Sequence, residues 1–209
     1  MKLAVLANEE LKEEFLSGGI ADHVNIDWVT TGEELSAHPD ADAVFDLLFE
    51  INNHEVSHLK DLSQPVFVNS VNKTIEEIGL PVMRFNGWPG FLKRNSIEIS
   101  CTDESLKKEA ATILTALNKN PDWIPDVKGF ISARIVSMII NEAYFAFEEN
   151  VSTKAEIDIA MKLGTNYPFG PFEWASKIGL NSIVSLLTEL SISEKRYQPA
   201  GLLLKEAIE

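Results

Sequence analysis

The chain has 209 residues, 45% of them hydrophobic and 24% charged, with a net charge of −14. This is the composition of an ordinary globular protein of one large or two small domains, and it holds no run of about eighteen apolar residues that would span a membrane. Nucleic acid is not an expected partner, because phosphate binding needs clustered Lys and Arg, whereas residues 1–128 carry 11 basic against 22 acidic side chains and residues 129–209 carry 7 against 10.

Residues 2–7 form a short apolar run without helical spacing and read as a buried strand. The run is too short for a secretory signal and turns acidic at once. Asn8 is a fair N-cap for a helix over residues 9–16, which Gly18-Gly19 stops. Strand-like segments follow at 24–29, 43–49, 65–68, 81–85 and 96–101, with short helices predicted near 33–35 and over 55–62. Strands alternating with short helices predict a layered α/β domain with a mostly parallel sheet. Asp103 caps a longer helix to about residue 118, with Leu106, Ala110, Ile113, Leu114 and Leu117 on its apolar side. Residues 119–126 contain Pro121 and Pro125 and make the best boundary, giving units of 1–127 and 128–209.

Beyond that boundary the pattern is wholly helical. A helix from 129 to about 150 is apolar on nearly every side, as buried helices are. A thin polar line of Arg134, Asn141 and Glu148 recurs at seven-residue steps on one face. Thr153 with Glu156 predicts a capping box for a second helix ending at Gly164. Shorter helices are expected near 172–177, from 181 to about 190, and from 202. The lone Cys101 excludes an internal disulfide and fits a reducing compartment, the cytoplasm.

Several motifs fall in order through this second half: Gly129-Phe130-Ile131, Arg134, Asn141-Glu142-Ala143, Asp158, Ala160-Met161-Lys162-Leu163-Gly164, Tyr167-Pro168, Gly170-Pro171-Phe172-Glu173 and Gly179-Leu180. In them the chain resembles the C-terminal helical domain of the 3-hydroxyacyl-CoA dehydrogenase family, and the resemblance thins towards the N-terminus. It implies a Rossmann-like first domain, here reduced, followed by an all-α domain of the 3-hydroxyacyl-CoA/6-phosphogluconate dehydrogenase type. It also implies a homodimer through the helical part, an acyl-CoA substrate, NAD as cofactor, and a place in fatty-acid metabolism.

The residues depart from that pattern at the reacting positions. A dinucleotide needs a glycine-rich turn after the first strand, so that the backbone can approach the pyrophosphate. Here the turn is Ala7-Asn8-Glu9-Glu10, and NAD is not expected to bind normally. The family's histidine, in a His-Phe-Phe-Asn-Pro motif, corresponds to Met83 in Met83-Arg84-Phe85-Asn86-Gly87. Its partner glutamate corresponds to Glu98, its active-site asparagine to Ala133, and Ser70 stands near its substrate-positioning serine. Glu98 and Ser70 are thus the catalytic candidates. Arg84, Asn86, Trp88, Lys93 and Arg134 are the substrate-binding candidates for an anionic or acyl-CoA-like ligand. No cofactor or metal residues are assigned. The residues favour a diverged member with oxidation impaired or absent, while the family alone favours an active dehydrogenase.

A third reading rests on His54-Glu55-Val56-Ser57-His58. On a helix, two histidines four apart would face one zinc ion while Glu55 activated water. The predicted helix is only about two turns long, and a solvated polar helix is the simpler expectation.

Overall fold

The computed structural model describes residues 1–208. The chain divides into two compact units, Met1–Phe130 and a second beginning at Ile131.

The first unit is a seven-stranded sheet in the order β2-β1-β3-β4-β5-β6-β7. The strands are β1 (Lys2–Leu6), β2 (Asn25–Val29), β3 (Ala43–Asp46), β4 (Val66–Asn69), β5 (Met83–Phe85), β6 (Ser96–Ser100) and β7 (Asn120–Trp123). The first five are parallel, β6 runs antiparallel to β5, and β7 runs parallel to β6. Helices α1 (Glu9–Leu16), α2 (Gly32–Ser36), α3 (Ile75–Ile78) and α4 (Glu104–Ala116) connect them. Both faces of the sheet are covered: Leu3, Val5, Phe45, Phe67 and Phe85 lie in one apolar cluster, and Ala4, Leu6, Val44, Val66 and Val68 in the other. This double burial explains why the strands read as continuous apolar runs. Phe45 and Phe67 stack face to face at 4.3 Å in the centre. The mostly parallel, Rossmann-like class is the one expected.

The sheet reverses direction at β1. The chain passes from β1 to β2 on one side, then crosses back to β3 on the other. In open α/β sheets ligands bind outside the carboxyl ends of the strands at such a switch point.

Three local expectations change. Residues 119–126, read only as a boundary, contain a regular element: Asn120–Trp123 forms the edge strand β7, with Pro121 opposite Ile97. A proline, which lacks the N–H, is tolerated at a sheet edge. The helix predicted over 55–62 is a single 3-10 turn at Ser57–Leu59. Asn53 and His54 before it have φ of 56° and 58°, which no right-handed helix can include. The third strand stops at Asp46, whose carboxylate accepts the Leu48 N–H at 2.9 Å and turns the chain.

The second unit contains α5 (Ser132–Glu148), α6 (Lys154–Thr165), α7 (Pro171–Ile178), α8 (Leu180–Ser193) and α9 (Gly201–Glu206). The capping box at Thr153 and Glu156 is present. Helix α6 runs through Gly164 and ends instead on Asn166, in the left-handed conformation at φ 56°, which asparagine tolerates. Two members of the polar line on α5, Asn141 and Glu148, hold the chain leading into α9 and its first turn. Asn141 donates to the Gln198 carbonyl at 2.9 Å and accepts the Ala200 N–H at 2.8 Å, and Glu148 accepts the Leu202 N–H. The loop before α7 is equally structural. Asp158 accepts the Phe172 N–H at 2.8 Å, and Glu173 accepts the Gly170 N–H at 2.9 Å.

No helix among the described residues is long and apolar enough to cross a membrane.

Candidate functional site

Four of the candidates lie on or just after β4, β5 and β6, with Ser70 following β4, Arg84 on β5, Asn86 following β5 and Glu98 on β6, where adjacent strands bring distant residues together. Asn86 follows β5, and its side-chain amide donates to Glu98 Oε2 on β6 at 2.9 Å. Asn86 is buried and Glu98 half-buried. The resemblance places its imidazole at Met83 and its carboxylate at Glu98, but in the sheet it is Asn86 that meets the Glu98 carboxylate. An amide has no titratable proton, so the pair holds Glu98 in place without relaying a proton as an imidazole would. Met83 is buried inside the core cluster.

Trp88 continues from Asn86. Its ring is buried, and its Nε1–H donates to Glu50 Oε1 at 3.0 Å. The other Glu50 oxygen accepts the N–H groups of Val71 and Asn72. Burial raises the Glu50 pKa, against these hydrogen bonds and the nearby Arg84, which lower it. Sequence reasoning missed Glu50; an acid immediately after the buried Phe49 was the available signal.

Ser70, Arg84 and Trp88 differ from their expected roles. Ser70 is wholly buried, and its hydroxyl donates to the Lys73 carbonyl at 3.1 Å. Arg84 is wholly buried too. Its guanidinium donates to Asp126 Oδ1 at 2.5 Å, to the Ser70 carbonyl at 2.9 Å and to the Val127 carbonyl. It also lies 4.2 Å from the Phe130 ring centre. All three guanidinium nitrogens are engaged within the chain, so Arg84 braces the segment after β7 instead of facing a ligand. Trp88 likewise presents no open aromatic surface. Lys93 is the exposed member, with its ammonium 3.7 Å from the buried Glu14 carboxylate. Glu14, on α1, accepts the Gly90 N–H through both oxygens, at 2.9 and 2.7 Å, and so ties the 87–94 loop to that helix. Arg134 lies in the second unit on α5, beside a groove with Ile135, Met138, Ile139, Arg196 and Tyr197.

Asn69 closes the network at the end of β4. It accepts the Gly87 N–H at 2.9 Å and donates to the carbonyls of Leu47 and Gly87, both at 3.2 Å. A Cβ on Gly87 would stand 2.8 Å from both the Asn69 and Phe85 side chains, so only glycine fits there.

The turn after β1 does not suit a dinucleotide diphosphate. Asn8 caps α1 by accepting the Leu11 N–H at 2.9 Å, and Glu9 and Glu10 occupy the first helical turn. Two carboxylates therefore stand where a diphosphate would need bare N–H groups.

The HExxH segment does not assemble as a zinc site. His54 lies in a left-handed turn with its ring edge-on to Phe49 at 5.3 Å, while His58 bonds to Asp46. No group of three or more His, Cys, Asp or Glu side chains is placed to hold a metal ion among the described residues.

Residues 129–207 match the family described as 3-hydroxyacyl-CoA dehydrogenase, C-terminal domain. The chain is 38% identical over 107 residues to 3-hydroxyadipyl-CoA dehydrogenase of Escherichia coli K12, covering 50% of this chain and 22% of that protein. It is 27% identical over 187 residues to a probable 3-hydroxybutyryl-CoA dehydrogenase of Bacillus subtilis, covering 88% of this chain and 64% of that one. The chain thus spans less than two thirds of the length of either relative. Among solved structures it is similar to the E. coli 3-hydroxybutyryl-CoA dehydrogenase, with TM-score 0.61 and 29% identity over 71% of this chain and 32% of that chain. It also shares the fold of M. tuberculosis FadB2, with TM-score 0.73 and 16% identity over 99% of this chain and 93% of that one.

Proposed function

We infer that this chain, which belongs to the 3-hydroxyacyl-CoA dehydrogenase family through its C-terminal helical domain, is a diverged member that binds an acyl-CoA-like ligand with NAD-dependent oxidation impaired or absent. The observation that carries this reading is the turn after β1, where a side-chain cap and two carboxylates occupy the start of α1. Met83 and the Asn86–Glu98 pair support it, since no imidazole stands beside Glu98 to take a hydroxyl proton. The ligand class comes from the relatives, whose names all specify acyl-CoA substrates. The second reading, an active 3-hydroxyacyl-CoA dehydrogenase, is favoured by the same relatives.

Titrating NADH and acetoacetyl-CoA separately, with tryptophan fluorescence as the readout, divides the two. The diverged reading expects a saturable response to acetoacetyl-CoA, none to NADH, and no NADH consumption with both present. Steady-state NADH consumption overturns it.

The helical unit is further proposed to pair with a second copy. Ile135 on α5, Ile159 and Leu163 on α6 and Ile192 on α8 are all more than half exposed, an apolar excess that a partner surface would cover. Light scattering at micromolar concentration tests this, and a monomer counts against it. Cys101, a free thiol, fits a reducing, cytoplasmic setting.

A further inference from the structure

We propose that the segments leaving β3, β4 and β5 form an anion-binding cradle for a small carboxylate, and that the chain's own Glu50 fills it as a displaceable gate. The site needs neither acyl-CoA nor NAD, so a failure of the reading above leaves it standing, and its own failure leaves that reading standing.

The cradle follows from the topology. Strands β3, β4 and β5 lie side by side and parallel, so the segments that leave them meet at one end of the sheet, where sheets of this kind take ligands. Glu50 comes four residues after β3, Val71 and Asn72 two and three after β4, and Trp88 three after β5.

Three N–H donors from two of these segments converge on one carboxylate. The backbone N–H groups of Val71 and Asn72 donate to Glu50 Oε2 at 2.5 and 3.2 Å, and Trp88 Nε1–H donates to Oε1 at 3.0 Å. Two successive backbone N–H groups aimed at one point make a concavity that selects anions. The buried Arg84 guanidinium adds positive charge that favours the ionised carboxylate through space. The ligand class follows from the donors. They serve both oxygens of one planar group, and a carboxylate offers only acceptors, whereas an amide or an ammonium would turn N–H groups against them.

Glu50 is placed as a gate and not as part of the frame. The backbone of its turn is fixed by Leu47 and Phe49, both wholly buried. Glu50 itself is half-buried, and Ile51 after it is 60% exposed. The side chain therefore reaches inward from the surface to a desolvated carboxylate. Rotation about its own bonds returns it to water and leaves the turn in place. Its departure opens the same path to a free carboxylate. In the resting chain the donors are satisfied from within, and the cradle inhibits itself.

The test uses the full ¹⁵N-labelled chain at neutral pH and fixed ionic strength. Acetate is the probe, acetamide the neutral control of the same shape, and methylammonium the cation control. The indole N–H signal of Trp88 reports occupancy, and thermal unfolding reports whether occupancy stabilises. In Glu50→Ala, whose three donors lose their acceptor, acetate should give a saturable shift and raise the melting temperature, and neither control should do so. The wild-type chain, in which acetate must displace Glu50, should bind about tenfold more weakly. Glu50→Gln keeps the bulk but sets an amide N–H against the donors, so it too should bind acetate more tightly than wild type. That variant carries the test if circular dichroism shows Glu50→Ala to be unfolded. No saturable response in the folded variants, wild-type affinity equal to theirs, or an equal response to acetamide or methylammonium would each overturn the proposal.

Discussion

The Arg84 guanidinium, wholly buried on β5, is held at 2.5 Å by Asp126, 42 residues later in the chain. Asp126 also accepts the Ile75 N–H at 2.8 Å through its other oxygen, so one carboxylate joins β5, α3 and the segment after β7. Burial lowers the Arg84 pKa and Asp126 opposes that shift. Removing the carboxylate alone strands a buried cation, a loss of roughly 3–5 kcal/mol. Removing the cation leaves a partly exposed carboxylate that water and the Ile75 N–H can still satisfy. Asp126→Ala is therefore expected to destabilise the protein more than Arg84→Met does. Urea unfolding of both variants checks the order, and the reverse order would refute the account.

Gly170 and Gly164 are six residues apart and should respond oppositely to the same substitution. A Cβ on Gly170 would overlap the Asp158 carboxylate, which is fixed by the Phe172 N–H. Gly170→Ala should cost about 1–3 kcal/mol, the usual range for overpacking. A Cβ on Gly164 meets nothing within 4 Å, and the residue lies inside α6. There the alanine should stabilise by roughly 0.5–1 kcal/mol through helix propensity. Thermal unfolding of the two variants reads both signs in one experiment.

Much of this was legible in the residues, and the misses have physical causes. Apolar runs without helical spacing located the strands because both faces of the sheet are covered, as Phe45 and Val44 show by falling into opposite clusters. The caps at Asn8, Asp103 and Thr153 were readable because each is a short-range interaction. Strand β7 was hidden because Pro121 and Pro125 read as a boundary unless the edge position of the segment is known. The His54–His58 spacing suggested a shared helix face, but spacing says nothing of the positive φ at Asn53 and His54. Arg84 and Trp88 looked available to a ligand; their partners Asp126 and Glu50 are 42 and 38 residues away, beyond what local pattern can pair.

His54 should make stability depend on pH. Burial, reinforced by the Lys73 charge, lowers its pKa from 6.5 to about 4, and its Nε2 is buried without a hydrogen-bond partner. Between those values the unfolded chain takes up a proton that the folded chain refuses. Stability is therefore lost as pH falls from about 6.5 towards 4. Burial raises the pKa of Asp46 and Glu50, and these groups act in the opposite sense as pH rises through their raised values. Comparison with His54→Asn isolates the histidine, since asparagine tolerates the left-handed turn and does not titrate. The wild-type chain should lose more stability than the variant between pH 6.5 and 5 in parallel urea titrations. Equal losses would place the titration elsewhere.

Met83→His restores the histidine of the family motif at its own position, and it tests whether that residue alone is what the chain lacks. Met83 is 1% exposed and packed in the main core cluster. An imidazole there loses apolar contacts and must find a hydrogen-bond partner, at a cost of about 1–3 kcal/mol. Met83 packs with Phe85, Ile97 and Ile99 in that cluster, whereas the Glu98 carboxylate is met by Asn86 at 2.9 Å, so the new ring is not offered Glu98 as its partner. The first turn of α1 would also remain acidic and capped. The variant is thus expected to fold with reduced stability and to give no NADH consumption with acetoacetyl-CoA. Measurable turnover in Met83→His, absent from the wild-type chain, would show that the nucleotide site survives and that the imidazole was the only missing part.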